Sequence, residues 1–96
     1  MIRSIKHKGL KLLWVKGDKS KLPPLMVPKI ERLLTIIDVL EQVPDDLRDL
    51  PFLRPHPLKG DLKGFWAITV MGNWRIIFRF DNASKNAFDI DLIDYH

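Results

Sequence analysis

Phe65-Trp66-Ala67-Ile68-Thr69-Val70-Met71-Gly72-Asn73-Trp74-Arg75-Ile76-Ile77-Phe78-Arg79-Phe80 is the stretch that decides the fold. Its first seven residues alternate, with Phe65, Ala67, Thr69 and Met71 on one side and Trp66, Ile68 and Val70 on the other. Gly72-Asn73 follows as a two-residue turn of the hairpin type. Trp74, Ile76, Phe78 and Phe80 then alternate with Arg75, Ile77 and Arg79. A period of two on both sides of a tight turn predicts an antiparallel hairpin. An arginine flanked by aromatics would be expensive inside a core. Trp74, Ile76, Phe78 and Phe80 are therefore expected to face a helical layer, and Arg75 and Arg79 to project from the opposite face.

Downstream, Asp81 to Asn86 reads as a polar turn. Ala87 to Ile93 reads as one more strand, with Phe88, Ile90 and Leu92 expected in the core and Asp89 and Asp91 turned away. Upstream, Leu53 to Leu58 is extended, and Pro55 and Pro57 confine it to an edge or a bulge because they remove ladder donors. Pro44 to Pro51 reads as a turn or one short helical turn.

The first half of the chain has the helical period. Pro28 is placed for a first helical turn, where its missing N–H costs nothing. Ile30, Leu33, Leu34, Ile37 and Leu40 follow on one face, and Glu31, Thr35, Asp38 and Gln42 mark the other. Ile36, Val39 and Val43 widen the apolar stripe, and Pro44 is expected to end the helix. An earlier amphipathic helix over Lys8 to Val15 presents Leu10, Leu13 and Trp14 inward and Lys8, Lys11 and Lys16 outward, and Gly17 stops it. Asp18 to Pro24 is a connector. Met1 to Ile5 reads as an edge strand. The expected fold class is α+β: an N-terminal strand and two helices packed on one face of a mostly antiparallel sheet.

The length of 96 residues allows one domain, residues 1–96. There are no cysteines, hence no disulfide framework and no thiolate metal site. No apolar leader follows Met1, and no run approaches a membrane span. A soluble cytoplasmic protein with no membrane partner is expected. The charge is unevenly placed. Residues 1–22 carry seven Lys/Arg against one acid, and residues 51–80 carry five against one. Residues 23–50 carry three against six acids, and residues 81–96 one against four. Two basic blocks of this kind point to a polyanion partner.

The histidines, His7, His56 and His96, are far apart, and no metal-ligand spacing, Gly-rich phosphate loop or serine or cysteine nucleophile motif is present. Neither a metal nor a cofactor is expected. The remaining polar residues suit metal-free RNA cleavage. That chemistry needs a base for the ribose 2′-OH, cations at the phosphate as it becomes more negative, and an acid for the leaving 5′-oxygen. Histidine fits either proton role. Lys59 and Arg75 supply charge. Tyr95 can stack on a base or move a proton.

Four blocks, His56-Pro57-Leu58-Lys59-Gly60-Asp61, Gly64-Phe65-Trp66, Asn73-Trp74-Arg75-Ile76 and Asp94-Tyr95-His96, stand in an order that closely resembles the HigB-like "killer" toxins of plasmid maintenance systems, within the RelE/ParE toxin superfamily. The opening Ile2-Arg3-Ser4-Ile5-Lys6-His7-Lys8-Gly9-Leu10 is similar to the start of those toxins. The resemblance covers nearly the whole chain. It implies a type II toxin that enters the ribosomal decoding site and cuts mRNA during translation. It also implies a cognate helix-turn-helix antitoxin, and repression of the operon by the complex, so that operator DNA is met only through the antitoxin.

The family's active-site positions fall on His56, Lys59, Arg75, Asp94, Tyr95 and His96. His96 or Asp94 is then the base, His56 or Tyr95 the acid, and Lys59 with Arg75 the phosphate stabilisers. Lys8, Lys11, Lys16 and Arg79 are the expected RNA- and ribosome-binding residues. Two other readings stand beside this one. One is a non-catalytic toxin that inhibits a target such as DNA gyrase by binding. The other is a plain RNA-binding module, which would not arrest growth.

Overall fold

A computed structural model describes residues 1–95; His96, and every expectation that rests on it, lies outside the described residues. The chain order is α1 (Lys8–Lys16), α2 (Val27–Asp38), α3 (Asp45–Arg48), β1 (His56–Pro57), β2 (Trp66–Met71), β3 (Trp74–Asp81) and β4 (Asn86–Asp94). The four strands form one antiparallel sheet in sequence order. The hairpin lies where the alternation puts it: Met71 pairs with Trp74 around Gly72-Asn73. Gly72 has φ 55°, a conformation that glycine adopts without steric cost.

β3 shows the expected division of faces. Ile76 and Phe78 are fully buried in the main core, and Trp74 and Phe80 pack against it. Ile77 is buried on the opposite face, in a small second cluster with Leu58 and Ala67. Leu62, Phe65 and Ile93 pack against that cluster. The segment between β1 and β2 therefore folds back over part of the face that lacks helices. β1 is the short edge strand that its prolines allow, with His56 opposite Ala67 and Pro57 opposite Trp66.

α1 starts at His7, whose Nδ1 accepts the Leu10 N–H at 3.2 Å, and closes at Gly17 (φ 70°). Leu10 and Leu13 enter the core, but Trp14 does not, being 36% exposed beside Val15, Ile2 and Ile5 in a surface groove. A nine-residue helix offers the core a narrow stripe, and position 14 falls at its edge. The opening segment is extended and runs parallel to β4, with isolated bridges from Ile2 to Ala87 and from Ile5 to Ile90. It is held by Arg3 N–H to Ala87 O (2.8 Å), Lys6 N–H to Ile90 O (2.7 Å) and Ile2 N–H to the Asp38 carboxylate (2.9 Å).

α2 buries Ile30, Leu33, Leu34 and Ile37, and Leu40 is buried just beyond it. The helix ends at Asp38, well before Pro44, and Val39 is 68% exposed rather than part of the stripe. Side chains from elsewhere take the backbone groups that a longer helix would have used. The Asp46 carboxylate accepts the N–H groups of Glu41 and Gln42, at 2.8 and 3.0 Å. Asn82 makes a two-way amide pair with Val43, both bonds 2.9 Å long. Such side-chain bonds compete directly with helix propagation.

β4 departs from simple alternation. Ile77 pairs with Asp91, but Arg79 pairs with Phe88, so Asp89 and Ile90 together oppose Phe78. Asp89, with φ 54°, is the extra residue of a bulge. Ala87, Ile90 and Leu92 reach the main core, and Phe88 lies half-buried on the Arg79 side, contrary to the expected Phe88, Ile90, Leu92 set. Phe78→Ala should accordingly destabilise the protein by about 3–5 kcal/mol, the usual loss for a buried phenylalanine. Phe88→Ala should cost about 1 kcal/mol, as for a typical substitution outside the core. Denaturant midpoints of the two variants check this; equal losses would place Phe88 back in the core.

Candidate active site

His56, Arg75 and Tyr95, three of the candidate site residues, lie on the sheet face turned away from the helices. Strand partners share a face, so His56, opposite Ala67, projects on the same side as Thr69, Arg75 and Ile93. Tyr95, two residues beyond Ile93, lies on that side as well. Its ring meets the His56 ring edge to face, with centroids 6.3 Å apart and planes at 65°. The two ends of the second half of the chain thus come together at one point. His56 is oriented from behind, its Nδ1 3.2 Å from the Arg54 carbonyl oxygen. With the proton on Nδ1 donated to that carbonyl, Nε2 is left for proton exchange.

The β2–β3 turn positions two of the candidate residues. Its Asn73 carbonyl accepts the Tyr95 N–H at 2.7 Å, which holds Tyr95 against the sheet. Its Gly72 carbonyl accepts from Arg75 Nη1 at 2.7 Å, and Nη1 also reaches the Trp74 carbonyl at 3.1 Å. The guanidinium is therefore folded back onto the turn. Arg75 Nε and the hydroxyl of Thr69, its partner on β2, are both buried without a hydrogen-bond partner. Each such group costs about 1–3 kcal/mol, and the two lie on paired residues of one face.

Lys59 directly follows buried Leu58 and precedes the single helical turn Gly60–Leu62. Leu58 and Leu62 anchor this segment in the second cluster and leave the Lys59 side chain exposed to solvent. Asp94 pairs with Trp74 and so shares that residue's face rather than the face of Arg75. Arg79 lies on the His56 face, but its guanidinium stacks on Phe65 with 5.2 Å to the ring centroid. Lys8, Lys11 and Lys16 are exposed on α1, on the other side of the sheet, so the four expected binding residues form two surfaces rather than one. Thr69 and the Asn73 carbonyl join the expected residues only in the structure. The alternation that placed Arg75 also put Thr69 on its side, but the turn's backbone acceptors left no side-chain signal. Among the described residues, no group of three His, Asp or Glu lies close enough to hold a metal ion, and no helix is long and apolar enough to cross a membrane.

Residues 3–96 match the family model of HigB-like toxins, described as the RelE-like toxin of type II toxin-antitoxin system HigB. A curated relative, Endoribonuclease HigB of Proteus vulgaris, is 46% identical over 96 residues, covering 100% of both chains. Among solved structures, the YoeB/ParE toxin from Agrobacterium tumefaciens aligns with a TM-score of 0.59 at 18% identity, covering 99% of this chain and 96% of that one. YafQ from E. coli aligns with a TM-score of 0.56 at 19% identity, covering 95% and 87%. At such identities the two structures establish likeness of fold. The family match spans both halves of the site, from His56 to Tyr95, and the chain belongs to the HigB-like, RelE-like toxins of type II toxin–antitoxin systems.

Proposed function

We propose that this toxin is an mRNA endoribonuclease that works on the translating ribosome, cutting at the decoding site without a metal ion. Endoribonuclease activity rests on family membership and on the full-length Proteus vulgaris relative. The finer reading rests on one observation above others: His56 and Tyr95 meet edge to face on the sheet face that also carries Arg75. A protein that only binds has no need to bring two proton carriers together on the face that carries this arginine.

In the proposed reaction the ribose 2′-oxygen attacks the adjacent phosphorus, and the bond to the 5′-oxygen of the next nucleotide breaks. His96 or Asp94 removes the 2′ proton, and His56 or Tyr95 delivers one to the departing 5′-oxygen. Lys59 and Arg75 meet the charge that builds on the phosphate oxygens. Residues 1–96 act as a single toxin domain. Lys8, Lys11 and Lys16, with Arg79 on the opposite surface, attract the ribosomal RNA and mRNA.

A type II toxin has a cognate antitoxin. We assign that partner a helix-turn-helix fold, contact with operator DNA only through the complex, and a cytoplasmic setting without membrane. The proposed site draws on few proton carriers, His56 and Tyr95 among them. Placement of the codon by the decoding centre would then supply much of the barrier reduction, as positioning can.

Primer extension on mRNA, with metal-stripped protein and programmed ribosomes, should show cleavage that is lost when ribosomes are omitted. Efficient codon-selective cutting of naked mRNA would contradict the ribosome requirement. Growth arrest without any cut would favour inhibition by binding. Arg75→Ala and Lys59→Ala should lower single-turnover cleavage roughly 10²–10³-fold while leaving ribosome binding nearly intact. Replacing Lys8, Lys11 and Lys16 should do the reverse, weakening association and flattening its dependence on salt. Deleting His96 should slow cleavage roughly 10²–10⁴-fold with little change in melting temperature; cleavage at wild-type rate would remove His96 from the mechanism.

A further inference from the structure

Thr69 and Arg75 are opposed across β2 and β3, so their Cβ atoms lie about 4.5–5.5 Å apart on one face. Arg75 Nε carries an N–H, and the Thr69 hydroxyl can accept it. Both atoms are buried, and neither has a hydrogen-bond partner. The reason is that Arg75 is committed elsewhere: Nη1 donates to the Gly72 and Trp74 carbonyls. A donor and an acceptor thus stand unpaired on adjacent residues while the far end of the same guanidinium is held by the turn.

We propose that Arg75 has two positions and that Thr69 is the positioning residue for the second. In the first, seen here, the guanidinium is parked on the turn carbonyls. In the second, a phosphodiester draws Nη1 off those carbonyls, and rotation of the side chain brings Nε–H onto Thr69 Oγ1. The new bond satisfies both buried groups at once and fixes the plane of the guanidinium, so that its Nη groups face the phosphate. The parked state keeps two carbonyl bonds and leaves two groups unpaired; the engaged state reverses this. A ligand that interacts only with the engaged form shifts the population between them. Thr69 need not touch RNA. It acts through Arg75, and its role in cleavage rests on the ribonuclease reading above.

The test is a double-mutant cycle with an arm that does not depend on activity. Thr69→Val removes the hydroxyl with little change of shape, and Thr69→Ser keeps it. Thr69→Val should slow single-turnover cleavage on programmed ribosomes about ten- to a hundredfold, the scale expected when a reacting group is misplaced by a small distance. Ribosome affinity should be unchanged, and the melting temperature should not fall, because an unpaired buried hydroxyl has been removed. Thr69→Ser should recover most of the rate. Adding Thr69→Val to Arg75→Ala should slow the reaction no further, since residues that act as one unit are non-additive.

Equal slowing in both backgrounds, or a wild-type rate for Thr69→Val, overturns the assignment and leaves the ribonuclease reading standing. A wild-type protein that cuts nothing on ribosomes sinks the ribonuclease reading instead. The two-position proposal is then decided by NMR on ¹⁵N-labelled protein without ribosomes. On titration with inorganic phosphate, the Arg75 Nε–H signal should move in the wild type and in Thr69→Ser but not in Thr69→Val. A signal that stays fixed in the wild type, or moves equally in Thr69→Val, overturns the proposal.

Discussion

Ile76 and Phe78 of β3 are fully buried against the helices, while Ile77 between them is nearly as buried on the reverse face. A central strand apolar on both faces must be covered twice, and the chain has helices enough for one side only. The second cover is improvised from Leu58, Leu62 and Phe65. It reaches Ile77 and Ala67 but not the end of the sheet near the turn, where Thr69, Arg75 and Tyr95 lie. The candidate residues Arg75 and Tyr95 therefore lie beyond that cover, and His56 lies at its edge, opposite Ala67. The same cover presents Lys59, because the packing of Leu58 fixes where the next residue emerges.

The turn at Gly72-Asn73 is the second constraint. Three consecutive carbonyls, from Gly72 to Trp74, bind Arg75 and the Tyr95 N–H. A hairpin turn is rigid because its two central residues have few conformations open to them. Hanging Arg75 and Tyr95 from it ties their relative position to a backbone geometry rather than to flexible side chains. Tyr95 would otherwise be a residue beyond the last strand, where chains fray. Here its backbone is bonded to the turn and its ring is in contact with His56.

Much of this architecture was legible in the sequence because the signals were local. The hairpin, the faces of β3, the start of α1 and its stop at Gly17 all follow from short windows of periodicity and glycine placement. The end of α2 is not legible, since the backbone beyond it is taken up by side chains further along, the Asp46 carboxylate at Glu41 and Gln42 and the Asn82 amide at Val43. The phase of β4 is not legible, because a bulge shifts alternation without any glycine or proline to mark it. The closeness of His56 to Tyr95 came from resemblance rather than spacing, and no periodicity could have supplied it. Arg75 was placed on the right face, but its retreat onto the turn depends on backbone acceptors that every sequence contains.

The bulge at Asp89 bears on how relatives of this chain can differ in length. Asp89 is the residue without an opposite number, and both faces of β4 keep their phase on either side of it. Its backbone N–H donates to the Ser4 hydroxyl at 2.8 Å, so its tie is to the opening segment rather than to β3. A deletion at this position would leave a regular ladder with Ala87, Ile90 and Leu92 still inward. A deletion anywhere from Ile90 to Ile93 would instead turn Tyr95 to the helical side and part it from His56, because a shift of one residue inverts every side chain beyond it. Gaps between homologous strands should thus be tolerated at the bulge and purged from the four residues that follow.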